Sequence, residues 1–183
     1  MQELKLDSVG LGELQTFLGR KTNIGNTDDL LDAPFQKKVK FRRATRFSDG
    51  SFPVFYSSLD SDTAQAEMKY WLPKYIGQAK KPRKVYYRQF SCRFDGQEKD
   101  IRTKVKDLPD LTSDDDYTFC NQVGAEANKL KLDGIVTVSV RRKGGDNLPV
   151  FCRSAIGHAE LEDLLIMTFD PESNQIVVEK ING

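Results

Sequence analysis

A chain of 183 residues with 38% hydrophobic and 30% charged side chains has the size and balance of one folded domain, at most with a small appendage. Its 28 basic and 27 acidic side chains leave a net charge of +1, which gives no electrostatic reason for nucleic acid to be the main partner. A mean hydropathy of −0.54 without any long apolar run excludes a membrane-spanning helix, and the opening lacks the basic-then-apolar pattern of a secretory signal.

The N-terminus reads as an amphipathic helix over roughly Asp7 to Leu18, with Leu11, Leu14 and Leu18 on one stripe. Thr27 can cap a short helical piece ending at Leu31, and residues 1–35 together read as a helical accessory segment. Residues 36–183 form the main body. In it, Val39 to Ala44 and Phe52 to Ser57 read as strands on either side of an Asp49-Gly50 turn. Asp60 or Ser61 caps a helix from Asp62 to about Tyr75, with Pro73 near its end. Lys84 to Phe94 reads as a strand, turned by Asp95-Gly96 into a second one near Lys99 to Val105.

The run Asp114-Asp115-Asp116 suits a helix start, and the helix it opens continues to about Leu130. Ile135 to Arg141 is a buried strand that forms a hairpin with Leu148 to Cys152 across a Gly144-Gly145 turn. A last hairpin pairs Leu164 to Phe169 with Ile176 to Ile181. Strands and helices mix without regular alternation, so the expected class is α+β with a mixed or antiparallel sheet core and flanking helices.

None of the phosphate-loop, dinucleotide-fold, zinc-protease or nucleophile-elbow motifs is present. Cys92, Cys120 and Cys152 lie far apart and read as reduced thiols, and one histidine, His158, cannot complete a zinc set with them. No metal is expected. His158 follows Gly157 and reads as a loop or helix-start residue. The basic clusters at 37–43, 80–84 and 141–143 read as solvated faces, equally suited to rim a phosphate-bearing small molecule.

One stretch carries more. Arg46-Phe47-Ser48 precedes a glycine turn, a short segment ending in Tyr56 follows, and a helix then carries Thr63-Ala64 and Glu67. Further on, Gly134 leads a strand that presents Ser139, and Asn147 to Phe151 follow the Gly-Gly turn. In this order the blocks resemble the RES domain family, named for its Arg, Glu and Ser. The sequence departs from the usual pattern in two ways. Ser48 stands where the family has Asn, and Arg42 and Arg43 lie close to Arg46 where a first arginine is usually well upstream.

The resemblance implies an ADP-ribosyltransferase-like fold and an NAD-degrading toxin or effector domain. NAD is then the substrate, cleaved between nicotinamide and ribose by water or phosphate, as in a glycohydrolase or a phosphorylase. Glu67 would stabilise the positive charge that develops on the ribose. Arg46, with Arg43 as second choice, would grip the pyrophosphate. Tyr56 would stack on nicotinamide or hold the ribose, and Ser139 would hydrogen-bond the ribose or amide. A cognate antitoxin or immunity protein is the implied partner, and the cytoplasm of the producing or a target cell the site of action.

Plainer readings stand beside these. Arg46 also reads as a surface arginine, Tyr56 as core, Glu67 as a solvent-facing helix residue, and Ser139 as a strand hydroxyl satisfied by backbone. ADP-ribosyl transfer to a macromolecule would use the same site with a different acceptor. A non-catalytic NAD-binding module would keep the fold without turnover, and a nucleic-acid binder would show steep salt dependence.

Overall fold

The computed structural model describes residues 2–6, 27–36, 44–77 and 79–181. The helix expected over Asp7 to Leu18, most of the strand expected over Val39 to Ala44, and Arg43 lie outside these residues. In chain order the elements are β1 (Gln2–Leu6), α1 (Thr27–Asp32), α2 (Ser61–Ile76), β2 (Arg83–Phe94), β3 (Glu98–Asp100), α3 (Thr118–Lys129), β4 (Gly134–Val138), β5 (Asp146–Asn147), β6 (Ile156–Asp170) and β7 (Gln175–Lys180). Four strands form one sheet in the order β1-β2-β6-β7 and three form a second in the order β3-β4-β5. The class is α+β, as expected.

The antiparallel pairing of β2 with β6 is the longest strand pairing among the described residues. Tyr87 on β2 and Leu165, Met167 and Phe169 on β6 turn to one face, and Met68 and Leu72 of α2 pack on them, four residues apart on the helix. A second cluster gathers Leu30 and Leu31 of α1 with Phe55, Phe90, Phe94, Leu148 and Val150. A third joins Cys120 and Ala127 of α3 to Phe47, Leu111, Ile135 and Phe151. Thus α2 lies on the four-stranded sheet and α3 on the three-stranded one.

Several local expectations change under tertiary pairing. Gln2–Leu6, inside the segment read as helical, pairs antiparallel with β2, and Glu3-Leu4-Lys5-Leu6 has the two-residue alternation of a strand. Asp95-Gly96 does not turn β2 into a hairpin. Glu98–Asp100 instead joins the other sheet, parallel to β4, and Arg102–Lys106 is a 3-10 turn rather than strand. β6 starts at Ile156, well before Leu164, because its polar first half finds partners along the whole of β2 through two register shifts. His158 is therefore a strand residue rather than a loop residue. It sits near the second shift with φ 54° and is exposed against Glu160.

The hairpin after β4 is shorter than expected. Asp146 and Asn147 pair back onto β4 as a short ladder and Val150 bridges Gly134 at its start, while Val150 also exchanges two hydrogen bonds with Phe55 at 2.8 Å. The segment Phe52 to Ser57 is accordingly tied by single bridges rather than a ladder.

Two devices fix the helices. The Asp60 carboxylate caps α2, accepting from the Thr63 N–H at 2.9 Å and the Thr63 hydroxyl at 2.7 Å. Burial would raise its pKa, but those bonds and the Arg142 charge outweigh it and hold the carboxyl below its usual value. Gly124 of α3 lets the Phe47 backbone approach closely, since a Cβ there would stand 1.9 Å from the Phe47 carbonyl oxygen.

Gly124→Ala should lower stability by about 1–3 kcal/mol, because the backbone atom it meets cannot swing aside; urea denaturation checks this, and an unchanged midpoint would contradict the close approach. Asp60→Ala should cost about 1 kcal/mol as a lost cap. The depressed carboxyl adds stability above the unfolded pKa of roughly 4, and that contribution is lost as pH falls through the folded value. Asp60→Asn should keep part of the cap and remove this acid dependence.

Candidate functional site

Helix α2 has two working faces. Ala64, Met68 and Leu72 face the four-stranded sheet, where Gln65 also donates to the buried Gln89 at 2.8 Å. Thr63, Glu67, Tyr70 and Lys74 recur at spacings of four, three and four, so they share another stripe of the helix. That stripe meets the loop after β4. Gly145 lies against Thr63, with room for no Cβ (2.2 Å to the Thr63 hydroxyl oxygen), and Arg142 donates to the same hydroxyl at 3.1 Å.

Glu67 is half-buried at the centre of this contact. Its Oε1 accepts from the Ser139 hydroxyl and from Asn147 Nδ2, both at 2.7 Å. Each donor is held in turn. Ser139 Oγ accepts the backbone N–H groups of Arg141 at 3.1 Å and Arg142 at 3.2 Å, so its hydroxyl hydrogen is directed at Glu67. Asn147 Oδ1 accepts from the Ser58 hydroxyl at 2.7 Å, which sets the amide so that its NH2 faces the carboxylate. Both bonds fall on Oε1, and Oε2 has no hydrogen-bond partner among the described residues.

Arg46 and Tyr56 form a neighbouring cluster and make no bond to Glu67. The Tyr56 hydroxyl donates to Thr45 Oγ1 at 2.7 Å and accepts the Phe47 N–H at 2.9 Å, closing the turn that carries Arg46. Burial pushes its phenol well above the usual tyrosine range. Asn121 of α3 braces the same turn through the carbonyls of Thr45 and Arg46. Arg46 Nη1 donates to the carbonyls of Leu111 at 3.3 Å and Ser113 at 2.8 Å, and the guanidinium lies 4.5 Å from the Tyr117 ring centroid.

The segment from Ser113 to Tyr117 joins the two clusters. Its two ends, Ser113 and Tyr117, meet Arg46; between them Asp114 pairs with Arg141, whose guanidinium lies 3.3 Å from the Tyr70 ring centroid. Asp115 pairs with Lys74 at 3.6 Å. A groove of about 270 Å³ opens on the outer side of this segment, lined by Asp110, Ser113, Asp116, Thr118, Phe119 and Gln122. It does not contain Glu67 or Ser139.

Among the four sequence candidates in described positions, then, Glu67 and Ser139 touch each other, and Arg46 and Tyr56 meet the same turn. Sequence reasoning missed Asn147, which it took as a turn and strand residue, and Tyr70, which lies one helical turn from Glu67. The spacing of Thr63, Glu67, Tyr70 and Lys74 was the available signal. Cys92 and Cys120 are buried free thiols; burial pushes Cys92 up to about 12 and raises Cys120 despite nearby Arg46. No group of side chains able to hold a metal ion occurs among the described residues, nor any helix long and apolar enough to cross a membrane.

A comparison with curated proteins finds no match to the chain. The family model described as the RES domain matches residues 23–170, a span that takes in Arg46, Tyr56, Glu67, Ser139 and Asn147. Such a match supports an NAD-related, toxin-type domain as the broad class. With most of its length matched, and with Glu67 and Ser139 of the resembling blocks in direct contact, the chain belongs to the RES domain family.

Proposed function

We propose that the chain consumes NAD by cleaving the bond between nicotinamide and ribose, as an NAD glycohydrolase or NAD phosphorylase. The observation that carries this reading is the Glu67 carboxylate, fixed through one oxygen by Ser139 and Asn147 and open at the other. A carboxylate held this way serves a reaction in which positive charge develops on a bound sugar, because its orientation is set before the charge appears.

In this reading Glu67 Oε2 accepts a hydroxyl of the nicotinamide ribose. As the glycosidic bond breaks, its electron pair leaves with nicotinamide, which departs neutral, and the oxocarbenium character left on the ribose faces the carboxylate. Water or inorganic phosphate then bonds to the anomeric carbon and gives up a proton. The chain's own contribution is orientation and charge, and it calls for no metal.

Ser139 and Asn147 are positioning residues here. Their polar atoms are spent on Glu67, on backbone N–H groups and on Ser58, so Ser139 acts on the ribose through Glu67 rather than by direct contact. Arg46 keeps Nε and Nη2 for a diphosphate, since its recorded bonds use Nη1. The Tyr56 hydroxyl is engaged in the turn and its ring packs partly against the third cluster, so only the exposed part of the ring is left to meet nicotinamide. Arg43 remains the second choice for the diphosphate. NAD as substrate sets the cytoplasm as the place of action, and a protein that drains it calls for a neutralising antitoxin or immunity partner.

Purified protein should remove NAD, and Glu67→Gln should slow that loss by about 10²–10³-fold while keeping the fold. A product that forms only with phosphate would assign the phosphorylase. Ser139→Ala and Asn147→Ala should each lower kcat by about 10- to 100-fold with a smaller change in KM, as expected for groups that aim the carboxylate. No NAD loss by folded wild type, or equal loss by Glu67→Gln, would overturn the proposal; label transferred to a macromolecule instead would make the chain a transferase.

A further inference from the structure

We propose that Arg141 is a phosphate-binding side chain of the same site and that Asp114 occupies its place as an internal, displaceable anion. This rests on the NAD reading above and gives one member of the basic cluster at 141–143 a defined ligand.

Arg141 is tied to Ser139, in the loop after β4, at its backbone and to α2 at its guanidinium. Its N–H is one of the two that hold Ser139 Oγ, and its guanidinium stacks on Tyr70, three residues beyond Glu67 on the same stripe. Three residues of helix advance about 4.5 Å, the scale of the step from a ribose ring to its 5′-phosphate. A phosphate on Arg141 would therefore lie where a dinucleotide whose ribose meets Glu67 carries one.

The ion pair is lopsided in a way that suits exchange. The Arg141 side chain is only 8% exposed, whereas that of Asp114 is 70% exposed. A cation removed from water must keep an anion, because leaving it unpaired is costly. An exposed carboxylate loses little by returning to water. Arg141 thus needs a partner, and Asp114 is a replaceable one: Nη1 bonds its carboxylate and Nη2 its backbone carbonyl at 3.0 Å.

The two ends of the same segment make a similar contact with Arg46. Ser113 offers its carbonyl to Arg46, and Tyr117 lies against that guanidinium. Arg46 and Arg141 therefore flank one stretch, Ser113 to Tyr117, and displacing it frees N–H groups of both for a diphosphate, which guanidinium forks bind in bidentate fashion. While Asp114 is in place the site competes with itself, and apparent affinity falls by the fraction of molecules in which Arg141 is free.

The test measures ADP, which carries the diphosphate and lacks the scissile bond, and adenosine, which lacks the phosphates, by titration calorimetry. Asp114→Asn keeps an acceptor for Arg141 but removes the competing charge, and should bind ADP about three- to fivefold more tightly than wild type. Asp115→Asn removes the same charge one residue away and should leave ADP affinity within about twofold. Arg141→Gln should weaken ADP by about tenfold or more, with adenosine unchanged throughout. Thermal unfolding of each variant verifies folding, and Asp114→Ser repeats the test if Asp114→Asn is unstable. Equal ADP affinity in wild type and Asp114→Asn, or an equal gain in Asp115→Asn, would overturn the assignment. NAD turnover by wild type, read on the same preparation, reports separately on the cleavage reading.

Discussion

One carboxylate oxygen holds together parts of the chain that are far apart in sequence. Glu67 Oε1 receives a hydroxyl hydrogen from Ser139, just past the end of β4, and an amide hydrogen from Asn147 on β5. The glutamate itself belongs to α2, whose apolar face is committed to the other sheet. The contact is thus the point where the two sheets' separate cores are reconciled. A half-buried carboxylate is tolerable there because each donor is itself hydrogen-bonded, so the network leaves few polar atoms unsatisfied.

The rest of the site follows from how α2 divides its surface. A helix that placed only Met68 and Leu72 correctly would still dock on the four-stranded sheet. It is the second stripe, through Thr63, Glu67, Tyr70 and Lys74, that gives the loops after β4 and before α3 a surface to sit on. Gly145 packs into Thr63 without a side chain, and Arg141 lies flat on Tyr70. The loop from Ser139 to Gly145 is consequently tied to the helix at several points, and the acidic segment before α3 is attached through the exposed carboxylates of Asp114 and Asp115 and through backbone carbonyls that accept from Arg46 and Arg141.

Much of this was legible in the chain before its fold was known. Asp60 and Thr63 announce the start of α2, and the blocks around Arg46, Glu67 and Ser139 stand in the order of the RES domain. What sequence could not supply was the partnership between distant polar groups. Asn147 follows a glycine turn and looks like one more turn residue; only the antiparallel return of β5 against Thr137 and Val138 brings its amide to Glu67. The first half of β6 is similarly opaque. His158 to Asp163 is polar enough to read as a loop, and it is strand because β2 offers a continuous partner, with bulges absorbing the mismatch. Gln2–Leu6 shows the same competition, with local alternation and a long-range partner prevailing over the helical stripe that follows.

In the proposed reaction Glu67 meets the ribose next to nicotinamide while Ser139 and Asn147 hold its other oxygen. A crystal structure of the Glu67→Gln protein with intact NAD tests it most directly. The nicotinamide ribose is expected within hydrogen-bonding distance of the residue 67 side chain, with Ser139 and Asn147 still directed at it and the diphosphate toward Arg46 and Arg141. NAD seated in the groove lined by Asp110, Asp116 and Gln122, or bound with its adenine end at residue 67, would contradict it.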